Sequence, residues 1–201
     1  RASSACFPAR PLTASPDAMP AKKDTATRKA GSKILLVDDH PMLRRGLAAL
    51  IDGESDLSVC GQASSCEGAL RAIGRVQPDL AIVDLGLEGS DGLDLLKEIK
   101  MNQSKLLTMV LSMHDESLYA ERAIKAGARG YVTKQQLDDT VLVAISRILD
   151  GGIYLSEKME ARFAAKYLAG HPLKDDSPLA VLSDRQLEVF RLIGHGESSR
   201  E

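Results

Sequence analysis

Residues 34–40 read ILLVDDH. Four apolar residues run without a break into two adjacent aspartates, Asp38 and Asp39, and His40 and Pro41 follow. A short, continuous apolar run of this kind reads as a strand buried on both faces. Two carboxylates then stand side by side at its tip. Like charges about 4 Å apart repel by about 4 kcal/mol at an effective dielectric near 20. The pair therefore points to a cation held beside it.

Outward from this strand the pattern alternates. HPMLRRGLAALIDG reads as a helix, with Met42, Leu43, Leu47, Leu50 and Ile51 as its core stripe and Gly53 as its stop. LSVCGQA is a second strand, and CEGALRAIGRV a second helix ended by QPD. LAIVD is a third strand, SDGLDLLKEIKM a third helix, KLLTMVLS a fourth strand and ESLYAERAIKAG a fourth helix. ARGYVTK holds a short fifth strand, and LDDTVLVAISRILDGG closes the series as a fifth helix with a double-glycine stop. Apolar strands alternating with amphipathic helices predict an α/β fold, a doubly wound five-stranded parallel sheet covered on both faces. In such sheets the ligand site lies beyond the carboxyl ends of the strands.

Reading the strand ends gathers one set of residues: Asp38 and Asp39 after the first, Asp84 after the third, Ser112 at the fourth, Thr133 and Lys134 at the fifth. A single aspartate after a strand is ordinarily a turn or cap residue. The joint set is harder to explain that way. Clustered carboxylates need a cation, and hard oxygen ligands suit Mg²⁺, which keeps waters and accepts a phosphate oxygen. One carboxylate is then free to act as a nucleophile toward phosphorus. The ammonium of Lys134 and the hydroxyl of Ser112 would meet the new phosphoryl oxygens.

VDDHPMLRRGL, DLAIVDLGLEGSDGLDLL, VLSMHD and GARGYVTK, in this order, resemble the receiver domain of two-component response regulators, a flavodoxin-like fold. The resemblance implies that Asp84 is the phospho-acceptor. It implies that Asp39 ligates the metal directly, that Asp38 acts through water, and that Gly86 lends a backbone carbonyl. Ser112 becomes the switch hydroxyl, Lys134 the family's lysine, and Tyr131 the aromatic switch position. The chain departs from the family at Glu88, where proline is usual four residues after the acceptor. That departure bears on loop rigidity and phosphoryl lifetime. His40 reads as a surface or helix-start residue, and His114 as a border residue that tunes access to the site.

After Gly152, IYLSEKMEARFAAKYLAG predicts a linker helix capped by Ser156, followed by the loop HPLKDDSPLA. LSDRQLEVFRLIGHGESSRE carries a capping box at Ser183 and Gln186, an apolar face of Leu187, Phe190 and Leu192/Ile193, and a second box at Ser198 and Glu201. This stretch resembles the opening of a LuxR-type helix-turn-helix, a partial all-α unit, and assigns the whole to the NarL/FixJ subfamily. In that family the recognition helix lies further on, so the reading expects a longer protein. The expected division is a disordered extension over 1–32, a receiver over 33–152, a linker helix and loop over 153–180, and an incomplete helix-turn-helix over 181–201.

Composition excludes several classes. The net charge of −2 gives no overall nucleic-acid footprint, and the balance is uneven: +5 over residues 1–33 and −6 over residues 34–150. Cys6, Cys60 and Cys66 have no paired spacing, which argues against a disulfide framework or a zinc site. No run reaches the roughly 18 apolar residues of a membrane span. Residues 1–18 are rich in Arg, Ser, Pro and Ala. They read either as a transit-like segment or as sequence upstream of a true start at Met19.

The expected function is a phosphorylation-dependent regulator of transcription, not an enzyme. It would be cytoplasmic, with no membrane partner, and served by a sensor histidine kinase. It would bind DNA through the full C-terminal domain and form a homodimer when phosphorylated. Two rivals were weighed. A Mg²⁺-dependent aspartyl-phosphate phosphohydrolase would carry Asp-x-Asp on its first strand, where this chain has adjacent aspartates. A receiver acting only in protein–protein phosphorelay would leave LSDRQLEVF unexplained.

Overall fold

The computed structural model describes residues 31–89, 91–136, 139–168 and 182–194. The N-terminal extension, most of the linker loop and the second capping box at Ser198 and Glu201 lie outside the described residues.

Five strands form one parallel sheet: β1 (Ser32–Val37), β2 (Leu57–Ala63), β3 (Leu80–Val83), β4 (Leu107–Ser112) and β5 (Gly130–Thr133). Their order is β2-β1-β3-β4-β5. The chain steps from β1 outward to β2 and returns to β3 on the other side of β1. The carboxyl ends of β1 and β3 therefore flank the point where the winding reverses, the place where open α/β sheets bind ligands.

Helices α1 (Pro41–Asp52), α2 (Cys66–Val76), α3 (Gly92–Asn102), α4 (Glu116–Ala126) and α5 (Asp139–Leu149) follow the strands in turn. Alternate strand residues feed opposite faces, as the pleat requires. Leu35, Val37, Ala81 and Val83 pack under α2, α3 and α4, while Ile34, Leu36, Leu80 and Ile82 pack under α1 and α5. Both faces are apolar because both are covered.

Local chemistry sets the helix ends. Ser65, Asp91 and Asp115 each accept a backbone N–H from the first turn of the helix they precede. α4 stops at Gly127, whose φ of 118° lies in the left-handed region that a side chain would strain. α1 stops at Gly53 as expected, although with ordinary helical dihedrals.

The expected core stripe of α1 needs one correction. Leu47 and Ile51 are buried and Leu43 and Leu50 pack against them, but Met42 is 77% exposed. Five residues separate Met42 from Leu47, which is about 140° around a helix of 3.6 residues per turn, so the two cannot share a face.

Past α5, Tyr154 forms a parallel bridge to Gly130 and covers the outer edge of β5, with Tyr131 N–H donating to the Tyr154 carbonyl at 3.0 Å. α6 (Glu157–Leu168) follows, with Ser156 Oγ accepting the Met159 N–H at 3.3 Å. Met159 is buried against the sheet's α4 side. α7 (Asp184–Gly194) opens with the expected capping box: Gln186 Oε1 accepts the Ser183 N–H at 2.8 Å, and Ser183 Oγ accepts the Gln186 N–H at 3.3 Å. Leu187 is buried in the core on the α2–α3–α4 side of the sheet, whereas Phe190 and Ile193 are exposed and the Leu192 side chain is outside the described set. Among the described residues no helix is long and apolar enough to cross a membrane.

Candidate functional site

β1, β3, β4 and β5 deliver their terminal residues to one edge of the sheet. Asp38 and Asp84 are almost fully buried there, and Asp39 is partly exposed. Lys134, which opens a single 3₁₀ turn after β5, reaches back into the cluster. Its Nζ lies 2.5 Å from Asp84 Oδ2 and 2.6 Å from Asp38 Oδ2. Burial works to lower the lysine's pKa, but the hydrogen bonds to Asp38 and Asp84 outweigh it and hold the ammonium above its ordinary range. The site thus carries a fixed cation and more carboxylates than that cation can neutralise.

Three further carboxylate oxygens are held by backbone donors. Gly86 N–H donates to Asp84 Oδ1 at 3.2 Å, His40 N–H to Asp38 Oδ1 at 2.7 Å, and Glu88 N–H to Asp39 Oδ2 at 3.1 Å. Arg44 Nη1 donates to the Asp38 carbonyl. His40 stands at the start of α1, as expected, and is mostly exposed. Its ring also faces the acidic pair, with Nδ1 2.6 Å from Asp39 Oδ1. Asp39 Oδ1 is itself buried and receives no backbone N–H, only the approach of the His40 ring.

These residues fit a divalent cation. Asp38, Asp39, His40 and Asp84 each offer a ligand atom, and these atoms lie within 4.8 Å of one another. The carboxylates are hard oxygen donors of the kind that Mg²⁺ takes, and Asp39 Oδ1, which receives no backbone N–H, has a lone pair to give.

Ser112 is fully buried at the end of β4, with Oγ 2.8 Å from His114 Nδ1. Tyr131 points inward, and its hydroxyl donates to the His114 carbonyl at 2.9 Å. Burial drives the Tyr131 pKa far up, with the neighbouring Tyr119, Glu116 and Asp84 adding to the shift and the Ser112 hydroxyl working against it. Tyr131 is therefore a neutral hydrogen-bond donor at any ordinary pH. A cleft of about 770 Å³ opens beside these groups, bordered by Gly86, His114 and Tyr119 on the receiver and by Ser183 and Asp184 before and on α7.

Three contributors escaped the sequence reading. Gly92 opens α3 against the backbone at the end of β3: a Cβ there would stand 2.3 Å from the Asp84 carbonyl oxygen. The DG pair in SDGLDLL is a turn signal that could have flagged it. Arg44 sits one turn into α1, six residues after Asp38, with no pattern to mark it. The third is the Glu88 amide, discussed below. Cys60 and Cys66 go to separate backbone carbonyls, those of Ile34 and Asp91, and do not meet.

A second carboxylate group, Asp91, Asp94 and Asp184, brings α3 and α7 together. It is met by cations. Lys97 Nζ lies 2.8 Å from both Asp94 and Asp184, and Arg122 Nη1 lies 2.7 Å from Asp184. That arrangement is an interface between helices.

Comparison with known proteins agrees with the geometry. Residues 34–146 match the response regulator receiver domain family. The nitrate/nitrite response regulator protein homolog of Haemophilus influenzae is 33% identical over 169 residues, which are 84% of this chain and 78% of that protein. The transcriptional regulatory protein LiaR of Bacillus subtilis is 31% identical over 173 residues, 84% of this chain and 79% of that protein. Among solved structures, a LuxR-family two-component response regulator from Aurantimonas sp. superposes with a TM-score of 0.64 at 31% identity, covering 69% of this chain and 99% of that one. RcsB from Salmonella enterica serovar Typhimurium, solved bound to the promoter rprA, shares the fold with a TM-score of 0.62 at 21% identity, covering 83% of this chain and 78% of that one. The chain belongs to the two-component response regulators of the NarL/FixJ type, phosphorylation-dependent proteins that control transcription.

Proposed function

We propose that Asp84 is the residue phosphorylated, by a sensor histidine kinase, and that Asp38, Asp39, Asp84 and the Gly86 carbonyl hold Mg²⁺ for the transfer. The observation that supports this most directly is the Lys134 ammonium bridging Asp84 and Asp38 at the reversal point of the sheet. Only there do a buried nucleophile, a fixed cation and spare carboxylate oxygens coincide among the described residues.

The step itself is a substitution at phosphorus. An Asp84 oxygen attacks, the new O–P bond forms, and the P–N bond to the kinase imidazole breaks. The imidazole leaves with the electron pair and takes a proton from water. Mg²⁺ held by these residues would supply charge neutralisation for the transfer. Lys134 exchanges its bond to Asp84 for one to a phosphoryl oxygen. Ser112 donates its hydroxyl to another, and Tyr131 follows it as the aromatic switch. The added charge then shifts a two-state equilibrium of the α4–β5 face.

In this reading the protein is a cytoplasmic switch. The receiver spans 33–152, the linker 153–180, and a helix-turn-helix begins at 181. Its output is DNA binding through the complete C-terminal domain, with a homodimer formed on phosphorylation.

Intact mass after incubation with acetyl phosphate tests the first step. A gain of about 80 Da is expected, dependent on Mg²⁺ and lost in Asp84→Asn. A gain that survives in Asp84→Asn moves the acceptor elsewhere. No gain in either protein removes the acyl-phosphate chemistry and leaves the acidic cluster as a metal seat alone.

A further inference from the structure

His114 is bonded to both residues assigned above as switches. Its Nδ1 lies 2.8 Å from Ser112 Oγ, and its own N–H donates to that same oxygen at 3.3 Å. Its carbonyl accepts the Tyr131 hydroxyl at 2.9 Å. The ring meets Tyr119 of α4 edge-on, with centroids 4.6 Å apart and planes at 62°. On its other side the ring overhangs the β3–α3 loop, where a Cβ on Gly86 would stand 3.4 Å from His114 Cε1. The imidazole thus fills a slot between the acceptor loop and α4, one bond away from the switch hydroxyl.

We infer that His114 is a positioning residue. Its ring holds the Ser112 hydroxyl in the resting arrangement and so sets how readily the Asp84 site accepts a phosphoryl group. The inference rests on the reading of Asp84 as the phosphorylated residue. A serine hydroxyl has a single hydrogen to donate. With the imidazole in its Nε2-protonated tautomer, Ser112 Oγ accepts the His114 amide and gives its hydrogen to Nδ1. A phosphoryl oxygen on Asp84 competes for that same hydrogen, and Ser112 cannot serve both. A neutral hydrogen bond of ordinary net strength corresponds to about threefold to tenfold in an equilibrium constant. Losing the imidazole acceptor should therefore favour the occupied site by that factor.

The two links to His114 are chemically separate. Side-chain substitution removes the bond to Ser112 and leaves the carbonyl that holds Tyr131. The hydroxyl restraint can thus be tested without untying the aromatic one.

The probe is beryllofluoride, BeF₃⁻, added with Mg²⁺ to the full chain and followed by fluorine NMR as bound fraction against concentration. His114→Phe keeps a ring against Tyr119 but has no acceptor, and His114→Ala removes both. Each should bind about threefold to tenfold tighter than the wild type. His114→Asn places an amide oxygen near the Nδ1 position and should restore affinity to within about twofold of the wild type. In a Ser112→Ala background, His114→Phe should change nothing, because the group it acts through is gone. Unchanged or weaker binding by His114→Phe overturns the inference. So does an equal gain in the Ser112→Ala background, which would make the effect steric. A wild-type chain that binds no BeF₃⁻ with Mg²⁺ shows instead that the reading of the Asp84 site is wrong. That failure appears before any variant is compared.

Discussion

The Glu88 amide donates to Asp39 Oδ2 at 3.1 Å, which ties the β3–α3 loop across to the acidic pair on β1. Position 88 is where receivers usually carry proline, and proline has no N–H to give. The departure noted in the sequence therefore has a consequence that resides in the backbone and not in the glutamate carboxylate. Glu88→Pro should lower stability by about 1–2 kcal/mol, the range for a lost hydrogen bond to a charged acceptor that is partly solvated. Glu88→Ala keeps the amide and should stay within about 0.5 kcal/mol of the wild type, as exposed substitutions do. Urea midpoints at constant slope decide the matter, and equal losses in both variants would place the effect in the side chain. Asp38, Asp39, Asp84 and Lys134 were legible in the sequence because each follows an apolar strand, and parallel strands end together. The Glu88 amide was not, since every residue except proline carries that group and only the fold decides where it points.

At the scale of elements, α6 is fastened to α4 largely by charge. Lys166 Nζ lies 2.6 Å from Glu121 Oε2, and Lys125 Nζ lies 3.0 Å from Oε1. Arg162 Nη1 donates to the Ser117 carbonyl, and Glu116 Oε1 accepts the Ser156 N–H. Burial pushes the Glu121 carboxyl up, but Lys166 and Lys125 outweigh it and hold its pKa below the ordinary 4.5. A carboxylate with a depressed folded pKa stabilises the folded state above the unfolded value, and the contribution fades as pH falls through the folded one. Amide protection in α6, corrected for intrinsic exchange, should therefore fall below about pH 4.5 in the wild type. Glu121→Gln should remove that dependence. An unchanged profile in Glu121→Gln would assign the acid response to another group. Lys166→Ala leaves the carboxylate with only Lys125 and should weaken α6 docking by about 1–2 kcal/mol. The helices themselves were readable from spacing and caps. Met42 shows the limit: apolar character alone does not fix a residue's angle around the helix. Pairs such as Glu121 with Lys166 lie 45 residues apart, and no local pattern records such a distance.

Across the whole molecule, α4 is the element that both C-terminal helices touch. Among the described residues, the contacts that hold α7 to the receiver lie toward its first turns. Arg122 donates to Asp184 at 2.7 Å and to the Leu182 carbonyl at 2.9 Å, Lys97 reaches Asp184 from α3, and Leu187 is the apolar anchor at 2% exposure. Toward the other end, Val189, Phe190 and Ile193 face solvent. Burial raises the Asp184 pKa, but Lys97 and Arg122 outweigh it and set it below its ordinary value, so the clamp is complete at neutral pH and weakens only as acid protonates the carboxylate. A clamp of two cations and one leucine is smaller than the sheet's own core, so α7 should open locally while β1–β5 stay closed. Arg122→Ala removes the bonds to Asp184 and to the Leu182 carbonyl and should reduce α7 amide protection by about 1–2 kcal/mol. Leu187→Ala should do so by about 2 kcal/mol, the low end for a buried leucine at a small contact. Neither should change protection in β3 or β4. Hydrogen exchange read peptide by peptide distinguishes this from the alternative. If α7 and the sheet lose protection together, the helix is part of one cooperative unit, and the charged clamp does not govern its release.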